Sequence, residues 1–388
     1  MHFFVIIIET RKTMENIKTF MAIDWLSFQV ELDENICTNL DYVPQDGTSY
    51  KFECCTSTNV FEKRYICWDN HLRKMFTILF CPLSKMLKSN MGLLEIGNIF
   101  LYNGRLKEVI KVALNSFNCR ITKISRLDVC CDFQRCYDEN GNTIDAKELA
   151  RNLYTNSWYV TKKREGAVFF CNELNEDDKV ITMPKQISWG NKKTEIKFKL
   201  YNKSLEIREE SHKYYIQNLW KQCFDISSGD IWRCECSITH FSAYQFRIGE
   251  EQRVFIMDDI FDYDSVKMLF INMYLNRFVV RKNEGNKNKN RNTIVPIFGY
   301  NGLDNFAAKI KSQQNKPSDD VKSYINGVVK LVQSFYAQFY VTKAVEKIKE
   351  LKEFIDYFSY NEWFEVVYGC PIEEFKENIE EKLKIKNY

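Results

Sequence analysis

The segment from Thr194 to Glu206 reads TEIKFKLYNKSLE, and its first half alternates between apolar and polar residues. Side chains on a β-strand point to opposite faces with a period of two. The pattern therefore predicts a strand that runs into a turn or a helix start, with Ile196, Phe198 and Leu200 facing a core. The opposite face carries one carboxylate, two lysines and a tyrosine, namely Glu195, Lys197, Lys199 and Tyr201.

The hydroxyl of Tyr201 sits between ammonium groups on this polar face. Cations are expected to lower the pKa of a tyrosine and to neutralise charge on a phosphate, so Tyr201 is a candidate nucleophile toward a phosphodiester. The alternative interpretation is a solvated strand face with a tyrosine packed at its end. The strand by itself leaves both interpretations open.

Length and composition restrict the class of protein. A chain of 388 residues predicts two or three domains or subdomains, and 45% hydrophobic with 28% charged residues is an ordinary globular balance. The net charge of +3 is far from that of a dedicated nucleic-acid coat protein, so DNA contacts must come from local patches. No run is long enough to span a membrane, and we expect a cytoplasmic protein without a membrane partner.

The 14 cysteines show no zinc-type spacing. We interpret them as reduced, buried small hydrophobes of a cytosolic protein. Those inside apolar strand patterns are Cys54, Cys55, Cys130, Cys131, Cys234 and Cys236.

The N-terminal residues 1–21 are predicted to be an extension that need not be ordered. Their short apolar run lacks the flanks of a signal peptide. Translation could begin at Met1, Met14 or Met21.

Periodicity along the rest of the chain predicts an α+β fold. Alternating segments predict strands over Ala22–Leu32, Ile121–Phe133 and Ile231–Ile238, and a period near 3.6 predicts a helix over Arg105–Phe117. The segment after Tyr201 is expected to continue as a helix to about Gln222. Residues 22–250 are thus predicted to form an antiparallel β-sheet core with flanking helices.

Residues 251–388 are predicted to be a mainly helical C-terminal region. It includes a helix over Asp264–Phe278, a basic, low-complexity loop at 282–292 and long helical periodicity over Val321–Tyr357.

Three predicted strands place ionisable groups opposite an apolar face. If these strands are neighbours in one sheet, Asp128, Glu235 and Tyr201 converge. Carboxylates on adjacent strands are about 5 Å apart, which suits a shared Mg²⁺ or Mn²⁺ ion. Asp132 lies about 13 Å from Asp128 along an extended strand, so the two do not share an ion. The alternative is ion pairing, of Asp128 with Arg126 or Arg233 and of Glu235 with Arg233.

The sequence lacks the motifs of several common enzyme classes. The four histidines form no His-x-His pair, which removes the common relaxase metal site. Neither a phosphate-binding P-loop nor a Gly-x-Ser-x-Gly hydrolase elbow occurs.

Four segments in order resemble the Rep_trans family of replication initiation factors. They are DWLSF at 24–28, ISRLDVCCDF at 124–133, KFKLYNKSLE at 197–206 and WRCECSI at 232–238. The family comprises the rolling-circle initiators of staphylococcal-type plasmids, with relatives in filamentous phages and integrative elements. The resemblance covers roughly residues 22–250.

The resemblance implies a site-specific DNA nickase and strand transferase. Its YNKxxE pattern matches Tyr201, Asn202, Lys203 and Glu206, and it implies that Tyr201 attacks the origin to form a 5′-phosphotyrosyl bond and free a 3′-hydroxyl primer. Asp128 and Glu235 are implied as ligands of Mg²⁺ or Mn²⁺.

Other residues receive supporting roles in this interpretation. Lys203 and Arg126 are expected to position phosphate, and the groups expected around the metal ligands are Asp132, Glu206 and Arg233. The expected DNA contacts are Lys197, Lys199, Lys282, Lys287, Lys289 and Arg291. Expected partners are origin DNA, a helicase and a second copy of the chain.

Two rival functions remain at this point. One is a non-catalytic DNA-binding regulator, which needs neither a metal nor Tyr201. The other is a metal-only nuclease that uses Asp128, Asp132 and Glu235 with water as the nucleophile.

Overall fold

The computed structural model describes most of the first 299 residues. The described residues are 17–39, 42–84, 87–160, 165–174, 180–190, 195–225, 227, 229–239, 241, 244–249, 251–288 and 291–299, with two short strands at 6–7 and 311–312. The predicted helical periodicity over Val321–Tyr357 and the cation Lys289 lie outside these residues.

The described chain contains eighteen strands. They are β1 (Ile6–Ile7), β2 (Lys18–Leu32), β3 (Tyr50–Cys55), β4 (Phe61–Asp69), β5 (Lys74–Pro82), β6 (Met91–Ile96), β7 (Cys119–Phe133), β8 (Arg135–Tyr137), β9 (Thr143–Asp145), β10 (Trp158–Val160), β11 (Glu165–Leu174), β12 (Val180–Trp189), β13 (Ile196–Asn202), β14 (Trp232–Thr239), β15 (Tyr244–Ile248), β16 (Glu251–Arg253), β17 (Val280–Lys282) and β18 (Lys311–Ser312).

Seven α-helices accompany the described strands. They are α1 (Glu34–Thr38), α2 (Asn98–Tyr102), α3 (Leu106–Ser116), α4 (Ala146–Tyr154), α5 (Lys203–Glu206), α6 (Tyr214–Trp220) and α7 (Tyr263–Arg277). A π-helical turn spans Ile207–Ser211, and a 3-10 turn spans Asp258–Phe261.

One large antiparallel sheet organises the fold. Its strands lie in the order β11-β12-β13-β14-β7-β2-β6-β5-β4-β3, with β1 also paired to β2. Small two- and three-stranded sheets flank it, formed by β10 with β17, by β8 with β9, and by β16, β15 and β18. The predicted α+β class with an antiparallel core is confirmed.

The predicted period-two alternation determines which face of the central strands is buried in the main core. Ile196, Phe198 and Leu200 of β13 all lie in this core. From the same face, Phe198 stacks on Phe278 just beyond α7, with ring centroids 4.9 Å apart. Apolar residues of α3, α4 and α7 cover this side of the sheet.

A second, smaller apolar cluster lies apart from the main core. It joins Phe20 of β2 and Tyr102 of α2 to residues of the α6 region, namely Ile207, Ile216, Trp220, Cys223, Phe224 and Ile231. Trp220 is fully buried here. This cluster anchors α6 beside the polar side chains of the central strands.

The segment after Tyr201 is less regular than the predicted helix through Gln222. The short α5 passes into the π-helical turn, and His212 then takes a left-handed backbone conformation with φ of 54° before α6 begins. A non-glycine residue in this conformation ends a helix. The prediction of one continuous helix is therefore wrong.

Two further differences concern strand positions. The first long strand begins at Lys18, four residues before the predicted Ala22, and so includes part of the predicted extension. Cys54 is exposed and Cys55 is half-buried, so neither is buried as predicted, because β3 is an edge strand of the large sheet. Cys130, Cys131, Cys234 and Cys236, on the central strands, are buried as predicted.

The described part of the C-terminal region packs against the sheet. It contains one long helix, α7, which begins and ends one residue before the predicted bounds. It also contains β16, β17 and β18, which the helical prediction does not include. Phe298 packs edge-on against Phe133 of β7, so residues 251–299 contribute to the same core.

Candidate active site

Cross-strand register brings the predicted polar residues onto one face of the sheet. Tyr201 lies opposite Arg233, and Arg233 lies opposite Asp132. In the next row Lys199 lies opposite Glu235, which faces Cys130, and in the third row Lys197 faces Ser237, which faces Asp128. The strands β13, β14 and β7 are thus neighbours, as the convergence of Tyr201, Glu235 and Asp128 requires.

Tyr201 and Glu235 form a direct buried contact. The Tyr201 hydroxyl donates a hydrogen bond of 2.9 Å to Glu235 Oε2, and Lys199 Nζ lies 3.3 Å from Oε1. The exposed fractions are only 7% for Tyr201 and 5% for Glu235. Glu235 therefore pairs with Lys199 and Tyr201, and not with Arg233 as the ion-pair alternative supposed.

The pKa of Tyr201 moves in the opposite direction to the predicted one. Burial raises it well above its ordinary value, and the charge of Glu235 raises it further, while Arg233 acts to lower it. Burial disfavours the charged phenolate. The expectation that neighbouring cations lower this pKa is wrong, because the tyrosine is enclosed and its closest polar partner is a carboxylate.

The pKa of Glu235 is also raised, first by burial and then by the charge of Asp24, with a further contribution from Asp128. Lys199 offsets these effects in part. Glu235 is thus a buried carboxylate near two others, and a bound cation or a transferred proton would remove the unfavourable charge.

Arg233 is the buried centre of the site. Its Nε donates 2.6 Å to Asp132 Oδ1, its Nη2 donates 2.8 Å to Asp132 Oδ2, and its Nη1 donates 2.6 Å to Asp24 Oδ1. Asp132 also accepts 2.8 Å from Trp220 Nε1, which ties the site to the α6 cluster. Arg233 and Asp132 are both fully buried and hold the sheet and α6 together.

Asp24 belongs to this site and is absent from the sequence-based predictions of site residues. Besides Arg233, its Oδ1 accepts 2.6 Å from the Tyr102 hydroxyl. Burial alone would raise the pKa of Asp24, but the charges of Arg233, Lys203 and Lys213 hold it well below its ordinary value. The signal available in the sequence is an acid between apolar residues in AIDWLSF, at the start of the predicted strand Ala22–Leu32.

Lys203 and Glu206 form an ion pair behind Tyr201. Lys203 is 1% exposed, its Nζ lies 2.6 Å from Glu206 Oε2, and it lies 5.5 Å from the centre of the Tyr201 ring. Asn202 caps α5 by accepting 2.9 Å from the amide of Leu205. The YNKxxE pattern thus forms a strand end, a cap and a buried ion pair, and the structure encloses Lys203 instead of presenting it to solvent.

Asp128 forms the ion pair that the alternative interpretation described. Arg126 Nε and Nη2 donate to its two carboxylate oxygens at 2.9 and 2.5 Å. Asp128 lies diagonal to Glu235 and not directly opposite it, because its partner on β14 is Ser237. Diagonal neighbours are about 7–8 Å apart, so the predicted spacing of about 5 Å does not apply to this pair.

The carboxylates of the site have the donor chemistry of a hard divalent cation. Asp24 and Asp128 lie close enough to Glu235 for their charges to raise its pKa. Within the described residues, however, no three His, Cys, Asp or Glu side chains are grouped closely enough to hold an ion. A cation bound here would have to replace Arg126 and Lys199 as partners of Asp128 and Glu235.

The predicted DNA-contacting cations divide between two places. Lys197 and Lys199 extend the site face, where the Lys199 side chain is 41% exposed. Lys282 pairs with Glu139 at 2.5 Å, and Lys287 and Arg291 are exposed beside it on the basic loop. The loop is held at its base by Thr293 Oγ1, which donates 2.7 Å to Glu284.

Replacing Glu235 with glutamine is expected to stabilise the fold at neutral pH. The raised pKa means that the folded state binds the Glu235 proton more tightly than the unfolded chain, so stability falls as pH rises from the unfolded pKa toward the folded one. We expect Glu235→Gln to unfold at least about 2 °C above wild type at pH 7.5, with a smaller difference below pH 4.5.

Glu108→Gln provides the matched control for this measurement. The half-exposed Glu108 carboxylate has its pKa lowered by a hydrogen bond from Arg105, so its loss should give no gain in melting temperature. An equal or lower melting temperature for Glu235→Gln at pH 7.5 would show that ionised Glu235 does not strain the fold.

The chain was compared with family models, curated proteins and solved structures. No family model and no curated protein match the chain. The fold is similar to that of a rolling-circle replication initiator protein from Geobacillus stearothermophilus, with 13% identity and a TM-score of 0.40, over 76% of this chain and 100% of that one. At 13% identity the similarity concerns the fold alone.

The described helices were also compared with the requirements for crossing a membrane. None of them is both long enough and apolar enough to do so.

Proposed function

We propose that this chain is a cytoplasmic initiator of rolling-circle replication that nicks the origin of a mobile element with Tyr201 as the nucleophile. One observation carries the proposal: the Tyr201 hydroxyl donates a hydrogen bond to Glu235, a buried carboxylate with a raised pKa on the neighbouring strand. A nucleophile in contact with a group that can accept its proton is the arrangement required for covalent catalysis. The ordered motifs of the Rep_trans family support the same assignment.

The bond changes follow from this contact. The Tyr201 oxygen attacks the scissile phosphorus while its proton passes to Glu235 Oε2. The bond between phosphorus and the 3′ oxygen breaks, and that oxygen takes a proton from solvent to become the free 3′-hydroxyl. The 5′ phosphate remains esterified to Tyr201. Deprotonation is the costly part of this step, because the pKa of Tyr201 is raised.

Glu235 and Asp128 are the two residues proposed to contribute carboxylate ligands to a divalent cation, Mg²⁺ or Mn²⁺; Asp24 is already bound by Arg233 and Tyr102. Such an ion supplies charge stabilisation at the scissile phosphate when bound. Arg126 and Lys199 are the present partners of Asp128 and Glu235, and both are proposed to contact phosphate. Both are partly exposed at the open side of the site, whereas Lys203 is enclosed and supports the Tyr201 ring.

The basic loop at 282–292 is proposed to grip duplex DNA beside the nick. Replacing Lys282, Lys287, Lys289 and Arg291 with glutamine should reduce the slope of log binding constant against log salt concentration by up to about 3–4, because each lost phosphate contact removes about 0.9. Filter binding over a salt series measures this slope. A slope equal to that of wild type would reject the role of the loop.

A non-catalytic DNA-binding regulator is the second candidate function. It is favoured by the raised pKa of Tyr201 and by the ion pairs of Asp24, Asp128 and Glu235, which are also what a purely structural polar core would contain. The metal-only nuclease fits less well, because Asp132 is fully buried and bound by Arg233 and Trp220.

The test is incubation with supercoiled plasmid that carries the origin of the chain's own element, with Mg²⁺, with Mn²⁺ or with chelator. Nicked plasmid with protein covalently attached to the 5′ end supports the nickase. Nicking without an adduct supports the metal-only nuclease. Binding to the origin with neither product would leave the regulator. A helicase and a second copy of the chain are proposed as further partners. Their binding can be tested on the same origin plasmid.

A further inference from the structure

Trp25 stands out among the tryptophans of the described chain. It is 37% exposed, while Trp68 is half-buried and Trp158, Trp189, Trp220 and Trp232 are buried. Exposing an indole to water costs hydrophobic free energy, and a lone exposed tryptophan beside a polar site is a common feature of ligand contact surfaces. Nothing in the Tyr201 chemistry uses this side chain.

A β-bulge brings Trp25 to the site face. The register between β2 and β7 shifts between Ile23 and Trp25, so that Asp24 is the extra residue and Trp25 pairs with Asp128. A bulge puts two residues of one strand opposite one residue of its partner and re-aims a side chain. Asp24 therefore reaches Arg233 while Trp25 lies in the same row as Asp128, Ser237 and Lys197.

Arg126 forms a cation–π stack with Trp25. Its guanidinium carbon lies 4.9 Å from the ring centre, and Asp128 holds the guanidinium through two hydrogen bonds. The side chain of Arg126 is itself 39% exposed. Trp25 and Arg126 together form a fixed surface with both an aromatic and a guanidinium plane, and both kinds of plane stack on nucleobases.

The distance of this surface from Glu235 suits a single DNA strand that passes over the site. Trp25 pairs with Asp128, which lies two residues along β7 from Cys130, the cross-strand partner of Glu235. Trp25 is on β2, and β2 is separated from β14 by β7. These offsets are about 7 Å along the strands and about 10 Å across them. Lys197 and Lys199 line the same face and carry the charge that a phosphate backbone requires.

We propose that Trp25 and Arg126 form a stacking subsite for an unpaired nucleobase of single-stranded DNA, a few nucleotides from the scissile phosphate. This inference rests on the proposed function, which places a DNA strand at Tyr201. The subsite holds one base by stacking and is tolerant of its identity, because every base has an aromatic face. It favours melted over duplex DNA, whose bases are already stacked on one another.

The experiment compares binding of fluorescein-labelled oligothymidylate and of a duplex of equal length, in chelator and over a salt series. All proteins carry Tyr201→Phe, so that no covalent step contributes. Trp25→Ala should bind oligothymidylate about 5- to 100-fold more weakly than the Trp25 parent at every salt concentration, with an unchanged salt slope and unchanged duplex binding. Trp25→Phe should retain most of the affinity because it keeps an aromatic face.

Trp25→Leu keeps the apolar bulk without an aromatic face and should lose binding as Trp25→Ala does, even if the alanine variant is unstable. Trp68→Ala, on β4, three strands from β2, is the remote control and should bind as the parent does. Full affinity in Trp25→Leu, or equal losses on single-stranded and duplex DNA, would overturn the subsite. Because binding is measured without metal or Tyr201, a failed nicking assay would leave this result unaffected.

Discussion

Replacing Tyr201 with phenylalanine is expected to abolish the covalent protein–DNA adduct and to reduce origin nicking by at least about 10³-fold, since loss of a catalytic nucleophile removes most of the rate enhancement. The fold should survive the change. Phenylalanine keeps the ring that packs under Lys203, and Glu235 keeps its ion pair with Lys199. Gel analysis of origin plasmid under denaturing conditions measures both products.

Tyr214→Phe is the matched control for this prediction. Tyr214 is 51% exposed at the start of α6 and lies outside the hydrogen bonds of the Tyr201 site, so its loss should leave nicking close to wild type. Adduct formation by Tyr201→Phe at the wild-type rate would remove Tyr201 from the chemistry. Loss of activity in both variants would point to a disturbed α6 region instead.

Replacing Arg233 with methionine is expected to destabilise the protein by about 3–5 kcal/mol, the usual cost of removing one partner from a buried ion pair. The variant would leave Asp132 fully buried and without its cation, and Asp24 would lose a hydrogen bond of 2.6 Å. Methionine fills a similar volume, so the loss reports on charge and not on a cavity. Urea denaturation followed by tryptophan fluorescence measures it.

Arg120→Met is the surface counterpart of this change. Arg120 also donates two hydrogen bonds to a carboxylate across neighbouring strands, that of Glu31, but its side chain is 79% exposed. An exposed pair of this kind contributes at most about 1 kcal/mol. The double variant Arg233→Met with Asp132→Leu should recover part of the lost stability, because it removes the unpaired charge. Equal losses for Arg233→Met and Arg120→Met would contradict a buried charge centre.

The faces of the central strands could be predicted from the sequence because strand alternation is a local property. Ile196, Phe198 and Leu200 lie in the core, and Tyr201 and Glu235 share the opposite face, as the pattern of residues requires. The predicted convergence of Tyr201, Glu235 and Asp128 required β13, β14 and β7 to be neighbours, and in the structure they are. The register between strands could not be predicted, since it depends on turns and bulges that local alternation does not show.

The other differences from the sequence-based predictions also depend on tertiary structure, which local patterns do not show. Asp24 could not be assigned because a bulge in β2 and contacts with Arg233 and Tyr102 define its role. The sequence around Lys203 suggests a solvated lysine, but the side chain is enclosed beside Glu206 because α5 follows the strand directly. The direction of the Tyr201 pKa shift depends on burial, which no pattern of neighbouring lysines reveals.

The most direct measurement of the central claim is identification of the residue that carries DNA after reaction. Wild-type protein would be incubated with Mg²⁺ or Mn²⁺ and a single-stranded oligonucleotide containing its origin, digested with nuclease and protease, and analysed by mass spectrometry. The proposed mechanism predicts a nucleotide 5′-phosphate attached to the peptide that contains Tyr201. Attachment to another residue, or cleaved DNA with no modified peptide, would contradict it.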